Sequence, residues 1–567
     1  MSKRTPDPAA CPPTKSARQS DLVSEMILNR PAIRYTGDTA IPKDAVVSSV
    51  FVVGQPTAMK AFVSAAPDCI KQNLSDFVSA HGILGRCASF TFELDTPASN
   101  ARPSQSITMI KQVGKEGEDK FTKLVVINVP TEASRYNNPA RPDAVAKALV
   151  KFPDFTAPGK RTVHVLALGN SARDAAVTGI SVGRAALRFN LSTKRGVPCE
   201  MPSPTVTVGV WSAEAGSAGE DLCKALDVVV DKMRMSASLT DMPTNYLNTT
   251  TYVSFMERLV GDLKAKGRDV EMKVIRGQDL EDQGFGGIWN VGKACTANPP
   301  ALVVLSWNAS KAKADDKSVV LVGKGIVYDT GGLALKSREG MAMMKRDMGG
   351  SAGLLGAFAA IVESDVHLGK PLYFIGCLAE NSIGPDAFRM DDIITMYSGL
   401  TVEINNTDAE GRLVMADGAA YAAKHLNPEL VIDMATLTGA SGIATGHYHA
   451  AIMSNNEEVE KAAVDAGKKI GDLVHPLIFC PEFHRAELQS DIADLKNSVK
   501  NRNNAQVSCA GWFVYENMMA AAAASEDIKY LHVDMAFPVE FMDNKATGYG
   551  VCLISQLLGL FDKCLPQ

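Results

Sequence analysis

The sequence predicts an α/β fold: an N-terminal α/β domain followed by a larger C-terminal α/β domain, whose mostly parallel mixed sheet is covered by helices. Three observations predict it. Short runs rich in β-branched residues recur along the 567 residues, from SSVFVVG to YLHVDMAF. Helical stretches lie between them. The runs are filled with apolar residues continuously rather than alternately, as in strands buried on both faces.

Taken in order, residues 1–40 open with MSKRTPDPAACPPTKSARQSDLV. This stretch is rich in Pro, Ser and basic residues and lacks the apolar core of a secretory signal, so it reads as a disordered tail. Residues 41–211 form the N-terminal domain, with SSVFVVG, FTKLVVINV and RTVHVLALG as strands and SARDAAVTGISVGRAALRF as a helix. Residues 212–247 are a linker, in which the Gly-rich SAEAGSAGEDL precedes a helix in CKALDVVVDKMRMSASLTDMP. Residues 248–567 carry strands at VEMKVIRG, ALVVLSWN, SVVLVGKG, PLYFIGCLAE, ELVIDMATLTG and YLHVDMAF. Between them lie the helices SAGLLGAFAAIVES, GRLVMADGAAYAAKHL and VEKAAVDAGKKIG. In such a sheet, ligands bind at the carboxyl ends of the strands.

Composition narrows the function classes. Hydrophobic residues at 46% and charged residues at 21% suit a globular chain rather than a disordered one. The net charge of −5 gives no field that would draw nucleic acid or an anionic membrane. No run approaches the ~18 apolar residues needed to span a bilayer. Eleven cysteines, an odd number without a CxxC pair, fit reduced thiols in a cytoplasmic protein.

Two charged segments stand out. The strand Ser318 to Gly323 is expected to end before KGIVYDTGGLALKSREGMAMMKRDMGG, a connection carrying Lys324, Asp329, Lys336 and Asp347. The stretch NNTDAEGRL is read as extended, so that Asp408, Glu410 and Arg412, at i, i+2 and i+4, share one face. Four carboxylates in one crevice exceed what burial tolerates without cations. An oxygen-rich set with few histidines suits Mg, Mn or Zn. Two such ions favour hydrolysis.

KGIVYDTGG, MKRDMGG and NTDAEGRL resemble, in this order, the signature segments of the leucyl aminopeptidase family, the cytosolic type with two zinc ions. DMATLTGA, SDIADLKN, LHVDMAF and ATGYG extend the resemblance over roughly residues 240 to 560, whereas the N-terminal third shows no matching motif. The resemblance implies an aminopeptidase that releases N-terminal residues, preferentially Leu and other apolar ones, through a metal-bridging water. By position it puts Lys324, Asp329, Asp347 and Glu410 around a tightly held ion, and Asp329, Asp408 and Glu410 around an exchangeable one. Zinc is implied, with Mn or Mg possible at the exchangeable site. It also implies that Lys336 stabilises the oxyanion and that Arg412 anchors a bicarbonate acting as general base. Met344, Asn406, Thr436, Leu437 and Gly439 would line the substrate and anion pockets. The partners so implied are peptides with a free N-terminus and five further copies in a homohexamer.

Other features read as structural. The HxH of His447 and His449 lacks a third ligand at a zincin spacing, and Cys377 and Cys509 match no catalytic Cys/His pattern. The competing functions are a non-catalytic or moonlighting binding protein on the same fold and a dinuclear phosphoesterase. The complete set of charged residues disfavours the first, and the scarcity of histidine disfavours the second.

Overall fold

The structure, a computed structural model, describes residues 15–28, 33–39, 47–66, 71, 104–113, 119–157, 159–186, 204–313, 315–523, 527–540 and 544–565. The N-terminal sheet contains β1 (Ile33–Thr36), β2 (Ser49–Gly54), β3 (Ser104–Val113), β4 (Asp119–Asn128), β5 (Thr162–Gly169), β6 (Thr205–Ser212) and β7 (Gly216–Ser217). The strand order is β1-β6-β5-β2-β4-β3, with β7 on β6. Among the described residues, only the pairs β3–β4 and β6–β7 of this sheet are antiparallel.

Regular structure begins earlier than the expected tail. Helix α1 (Lys15–Leu28) and strand β1 both fall within residues 1–40. Val23, Met26 and Ile27, at helical spacing, are buried by at least 96%, which ties the segment to the core. The expectation for residues 1–14 lies outside the described residues. Among the described residues this half also has α2 (Pro56–Phe62), α3 (Pro142–Leu149) and α4 (Ala172–Ala185), with a single helical turn at Pro153–Thr156. Helix α4 starts with a reciprocal Ser171/Asp174 capping box. The expected linker helix is α5 (Glu220–Asp241), which buries Leu226, Val229, Val230 and Met233.

Among the described residues, the second sheet has eight strands. They are β8 (Val270–Arg276), β9 (Ala301–Trp307), β10 (Ser318–Asp329), β11 (Leu372–Asn381), β14 (Pro428–Ala435), β15 (Ala450–Ser454), β16 (Val474–Pro476) and β18 (Lys529–Asp534). The numbers between belong to a small sheet of β12 (Ile393–Thr395), β13 (Thr401–Glu403) and β17 (Leu495–Lys496). The large sheet runs β16-β15-β18-β14-β10-β11-β9-β8. Its central strands β18, β14, β10 and β11 are parallel, so their carboxyl ends line one edge.

Helices cover both faces. On one side lie α5, α6 (Thr249–Ala265), α8 (Gly349–Glu363) and α13 (Val551–Leu557). On the other lie α7 (Gly286–Gly292), α9 (Glu410–His425) and α12 (Gln506–Ala521). Along β10, Val319 and Leu321 enter the first core while Val320 and Val322 enter the second. Hence Gly323 faces Ser351 of α8, and Lys324 faces α9. Two further helices of this half are α10 (Gly439–Thr445) and α11 (Glu457–Ile470). No helix among the described residues is long and apolar enough to cross a membrane.

Candidate active site

The carboxyl edge of the parallel strands gathers the charged side chains. The first strand expectation needs correcting: β10 does not stop at Gly323 but runs to Asp329, so Lys324 is inside the strand and Asp329 is its last residue. The glycines explain this, because a Cβ at Gly325 would strike Leu378 and Cys377 of β11, and bare backbone lets the strand stay paired with β11 as far as Asp329, with a register shift between Ile326 and Tyr328. Beyond Asp329, Gly331 and Gly332 take φ of 84° and 63°. The left-handed turn they allow returns the chain so that Lys336 N–H reaches Thr330 O at 3.0 Å.

The second segment is not extended. Residues 405–409 form turns and α9 begins at Glu410, so Glu410 and Arg412 sit in the first helical turn. The turn is built by side chains. Asp408 N–H donates to Asn406 Oδ1 at 3.0 Å. Asn497 accepts from the N–H groups of Asn405 (2.9 Å) and Asn406 (3.2 Å), and donates to Asn406 O (2.6 Å) and Ala409 O (3.3 Å). The helix N-terminus favours the Glu410 carboxylate.

The two segments meet. Thr407 Oγ1 donates to Gly331 O (2.7 Å) and accepts from Ala334 N–H (2.7 Å). Asn381, ending β11, donates to Asp329 Oδ1 (2.8 Å) and Thr407 O (3.1 Å). Asp329, Asp408 and Glu410 thereby bring carboxylate oxygens within 4.8 Å of one another. Asp347 joins them through lysine. Lys324 Nζ lies 2.8 Å from Asp347 Oδ1 and 2.9 Å from Glu410 Oε1, and donates to Thr436 O at 3.1 Å. Lys336 Nζ lies 2.8 Å from Asp329 Oδ2 and pairs with Asp408.

The electrostatics are those of a site with surplus acid. Burial disfavours a charged Lys324, but Asp347, Glu410 and Asp329 outweigh it and hold the ammonium above its ordinary range. Lys336 is held up likewise, with Asp329 and Glu410 overcoming burial. Glu410 is raised by burial and then by Asp329, and Asp347 by burial, with Asp329 adding to it. Acids and bases shifting upward together mean that two ammonium groups do not balance four carboxylates. Among the described residues, the buried oxygens Asp347 Oδ2 and Glu410 Oε2 have no hydrogen-bond partner. Unpartnered carboxylate oxygens amid excess negative charge fit divalent cations.

The remaining expected residues are distributed around this cluster. Arg412 is 6% exposed, its Nε and Nη1 lack partners among the described residues, and burial pushes it down to about 10. Thr436 follows β14 and its hydroxyl donates to Asp347 Oδ1 at 2.8 Å. Leu437 is half-buried, Gly439 is exposed with open space at its Cβ position, and Met344 is half-buried in a 3₁₀ turn three residues before Asp347. His449 pairs with Tyr136 O at 2.9 Å, and His447 stands edge-on to Phe537. Neither histidine joins the carboxylate cluster.

Asn381, Thr407 and Asn497 were not singled out in the sequence. Their signals were position alone: Asn381 closes a strand, Thr407 lies inside NNTDAEGRL, and Asn497 ends SDIADLKN.

Comparison with known proteins bears on this site. Residues 234–555 match the family model described as cytosol aminopeptidase family, catalytic domain. Residues 49–197, where no motif was recognised in the sequence, match the M17 aminopeptidase N-terminal domain 2. A human protein named probable aminopeptidase NPEPL1 is 42% identical over 437 residues, which is 76% of this chain and 79% of the relative. Leucine aminopeptidase 1 of Caenorhabditis elegans is 38% identical over 77% of this chain and 84% of its own length. The structure of leucyl aminopeptidase from Trypanosoma brucei in complex with bestatin superposes with a TM-score of 0.81 at 34% identity, covering 97% of this chain and 99% of that one.

Proposed function

The chain belongs to the cytosol aminopeptidase family, whose members are metal-dependent hydrolases, and from that premise we propose that it releases Leu and other apolar residues from the amino ends of peptides. The observation that carries the reading is the convergence of Asp329, Asp408 and Glu410 from a strand end and a helix start, with buried carboxylate oxygens left for cations.

In this reading Lys324, Asp329, Asp347 and Glu410 hold one divalent ion, and Asp329, Asp408 and Glu410 hold a second, exchangeable one. Zinc is the proposed metal, with Mn or Mg at the exchangeable site. When bound, the two ions supply Lewis acidity to the scissile carbonyl and acidify the attacking water. Lys324 must then give up its proton, because a lysine ligand is neutral and the ions replace its ammonium as counter-charge for Asp347 and Glu410. Lys336 keeps its charge and stabilises the negative charge that develops on the carbonyl oxygen. Arg412, with two buried N–H groups to offer, would hold a bicarbonate, which would supply a general base beside the attacking water. Met344, Asn406, Thr436, Leu437 and Gly439 shape the space for the first residue and the anion.

The same reading makes the protein a cytoplasmic homohexamer with no nucleic-acid or membrane partner. Residues 248–567 carry the chemistry, 41–211 are an accessory domain, and 212–247 connect them. Turnover of leucine amide by the purified chain, lost on chelation and recovered with zinc or manganese, is the expected result. Hydrolysis of phosphate esters instead, with leucine amide untouched under every metal, would overturn the reading.

A further inference from the structure

We propose that Asp534, to which nothing above assigns a role, is a positioning residue: it pins the backbone that follows β14 and thereby orients Lys324 and Asp347. The proposal rests on the metallopeptidase reading only in taking those two residues as ligands.

Asp534 is the last residue of β18, opposite Ala435 at the end of β14, and it is fully buried. Four donors converge on its two oxygens. Oδ1 accepts the N–H groups of Leu437 (3.3 Å) and Ala536 (3.2 Å). Oδ2 accepts the N–H (3.1 Å) and hydroxyl (2.6 Å) of Thr438. An ionised carboxylate, acceptor at every lone pair, satisfies such a set, whereas an amide or a protonated acid offers a donor where one of these donors already points.

The pinned segment is the one that touches the proposed ligands. Thr436, directly before Leu437, accepts from Lys324 Nζ through its carbonyl and donates to Asp347 through its hydroxyl. Turning Leu437 and Thr438 therefore turns both groups of Thr436. The clamp is indirect, since Asp534 reaches Lys324 and Asp347 through this backbone.

A ladder of alternating charge lies behind Asp534. His532 is two residues earlier on the same face of β18 and fully buried, and its Nδ1 lies 2.5 Å from Asp433 Oδ1. Tyr530 hydroxyl donates to the other oxygen of Asp433. Burial disfavours a charged imidazole, but Asp433 outweighs it and holds His532 above its ordinary range. Burial holds the Asp534 carboxyl above its ordinary range, against the pull of His532, the Thr438 hydroxyl and the N–H groups of Ala536 and Leu437 towards the ionised form.

The test uses the full chain with Asp534→Asn and reads zinc affinity by competition with a chelator, kcat and KM on leucine amide at saturating zinc, and thermal unfolding of the metal-free protein. Outer groups that orient metal ligands are worth ~10- to 100-fold in metal affinity or activity. The expected result is a loss of that size in zinc affinity and in kcat, with KM little changed and unfolding still cooperative. A folded variant whose zinc affinity and kcat both stay within about twofold of wild type would overturn the proposal. Should Asp534→Asn not fold, Thr438→Val, which removes the hydroxyl donor to Asp534 and with it the acceptor that caps Ser441 N–H (3.2 Å) at the start of α10, is expected to weaken zinc in the same direction, and unchanged zinc affinity there overturns the proposal equally. Wild type that binds zinc but leaves leucine amide intact refutes the proposed function, while the zinc comparison still decides the role of Asp534.

Discussion

Gly411→Ala separates the geometry of Lys324 from the stability of the fold. Gly411 lies in the first turn of α9, and a Cβ there would stand 2.5 Å from Lys324 Cε, 2.7 Å from Nζ and 2.8 Å from Cδ. Non-bonded carbons settle at about 3.5–4.0 Å, so the lysine must retreat by roughly 1 Å. Its ammonium lies 2.8, 2.9 and 3.1 Å from Asp347, Glu410 and Thr436 O, distances that leave no such slack. A displacement of about 1 Å in a catalytic constellation costs on the order of 100-fold in rate. Stability moves less, because alanine gains ~1 kcal/mol over glycine in a helix. Overpacking costs ~1–3 kcal/mol, leaving a net loss of roughly 0–2 kcal/mol. The assay pairs kcat/KM on leucine amide at saturating zinc with thermal unfolding. Normal kcat/KM in a normally folded variant would refute the placement of Lys324 against its two acids.

Lys336→Ala is expected to lower kcat by ~100-fold or more with little change in KM, since its charge is proposed to act on the transition state. Arg412→Ala should also be slow, and in carbon-dioxide-depleted buffer added bicarbonate should stimulate wild type but not this variant; equal stimulation would leave Arg412 a structural partner of the nearby acids. Arg184 of α4 pairs with the fully buried Asp472, which otherwise accepts only from Gly550 and Leu553 N–H among the described residues. Arg184→Ala should therefore cost ~3–5 kcal/mol by urea unfolding, and a loss below ~1 kcal/mol would show that the pair does not couple the two halves. His164 is 2% exposed with neither ring nitrogen bonded among the described residues, and burial holds it below its ordinary range although Asp38 pulls the other way. The folded state thus prefers the neutral ring, so its contribution is intact above the unfolded value of about 6.5 and is lost as pH falls below it. His164→Phe should flatten the fall in melting temperature between neutral and mildly acidic pH, and an unchanged slope would contradict this.

Much of this architecture was legible before any coordinates. Continuous apolar runs such as VVLVG and LVIDMA became the central parallel strands, because burial on both faces leaves no polar alternation to confuse them. The candidate residues Lys324, Asp329, Asp408 and Glu410 stood out because charge beside glycine near a strand end is conspicuous, and the structure brings them together. Boundaries were less so. Lys324 looked like a loop residue because its partners, Asp347, Glu410 and Thr436, are remote in sequence. Residues 405–412 were read by a two-residue period, yet side-chain bonds from Asn406 and Asn497 make a turn and open a helix, and a neutral asparagine 91 positions away leaves no trace in local pattern. Asp534 was overlooked for a related reason, since three of its four donors are backbone N–H groups that no residue type announces. The segment before residue 41 looked disordered from its prolines and charges, while the i, i+3, i+4 set Val23, Met26 and Ile27 was too short to stand out.

Metal content and turnover of Glu410→Gln, measured beside wild type, test the central claim most directly. Glu410 is proposed to touch both ions, and its Oε2 is one of the buried oxygens left without a partner among the described residues. The account predicts two zinc ions per wild-type chain, a much reduced content in the variant, and loss of leucine amide hydrolysis with the fold retained. A folded Glu410→Gln protein that keeps both ions and hydrolyses leucine amide at a near-normal rate would contradict it.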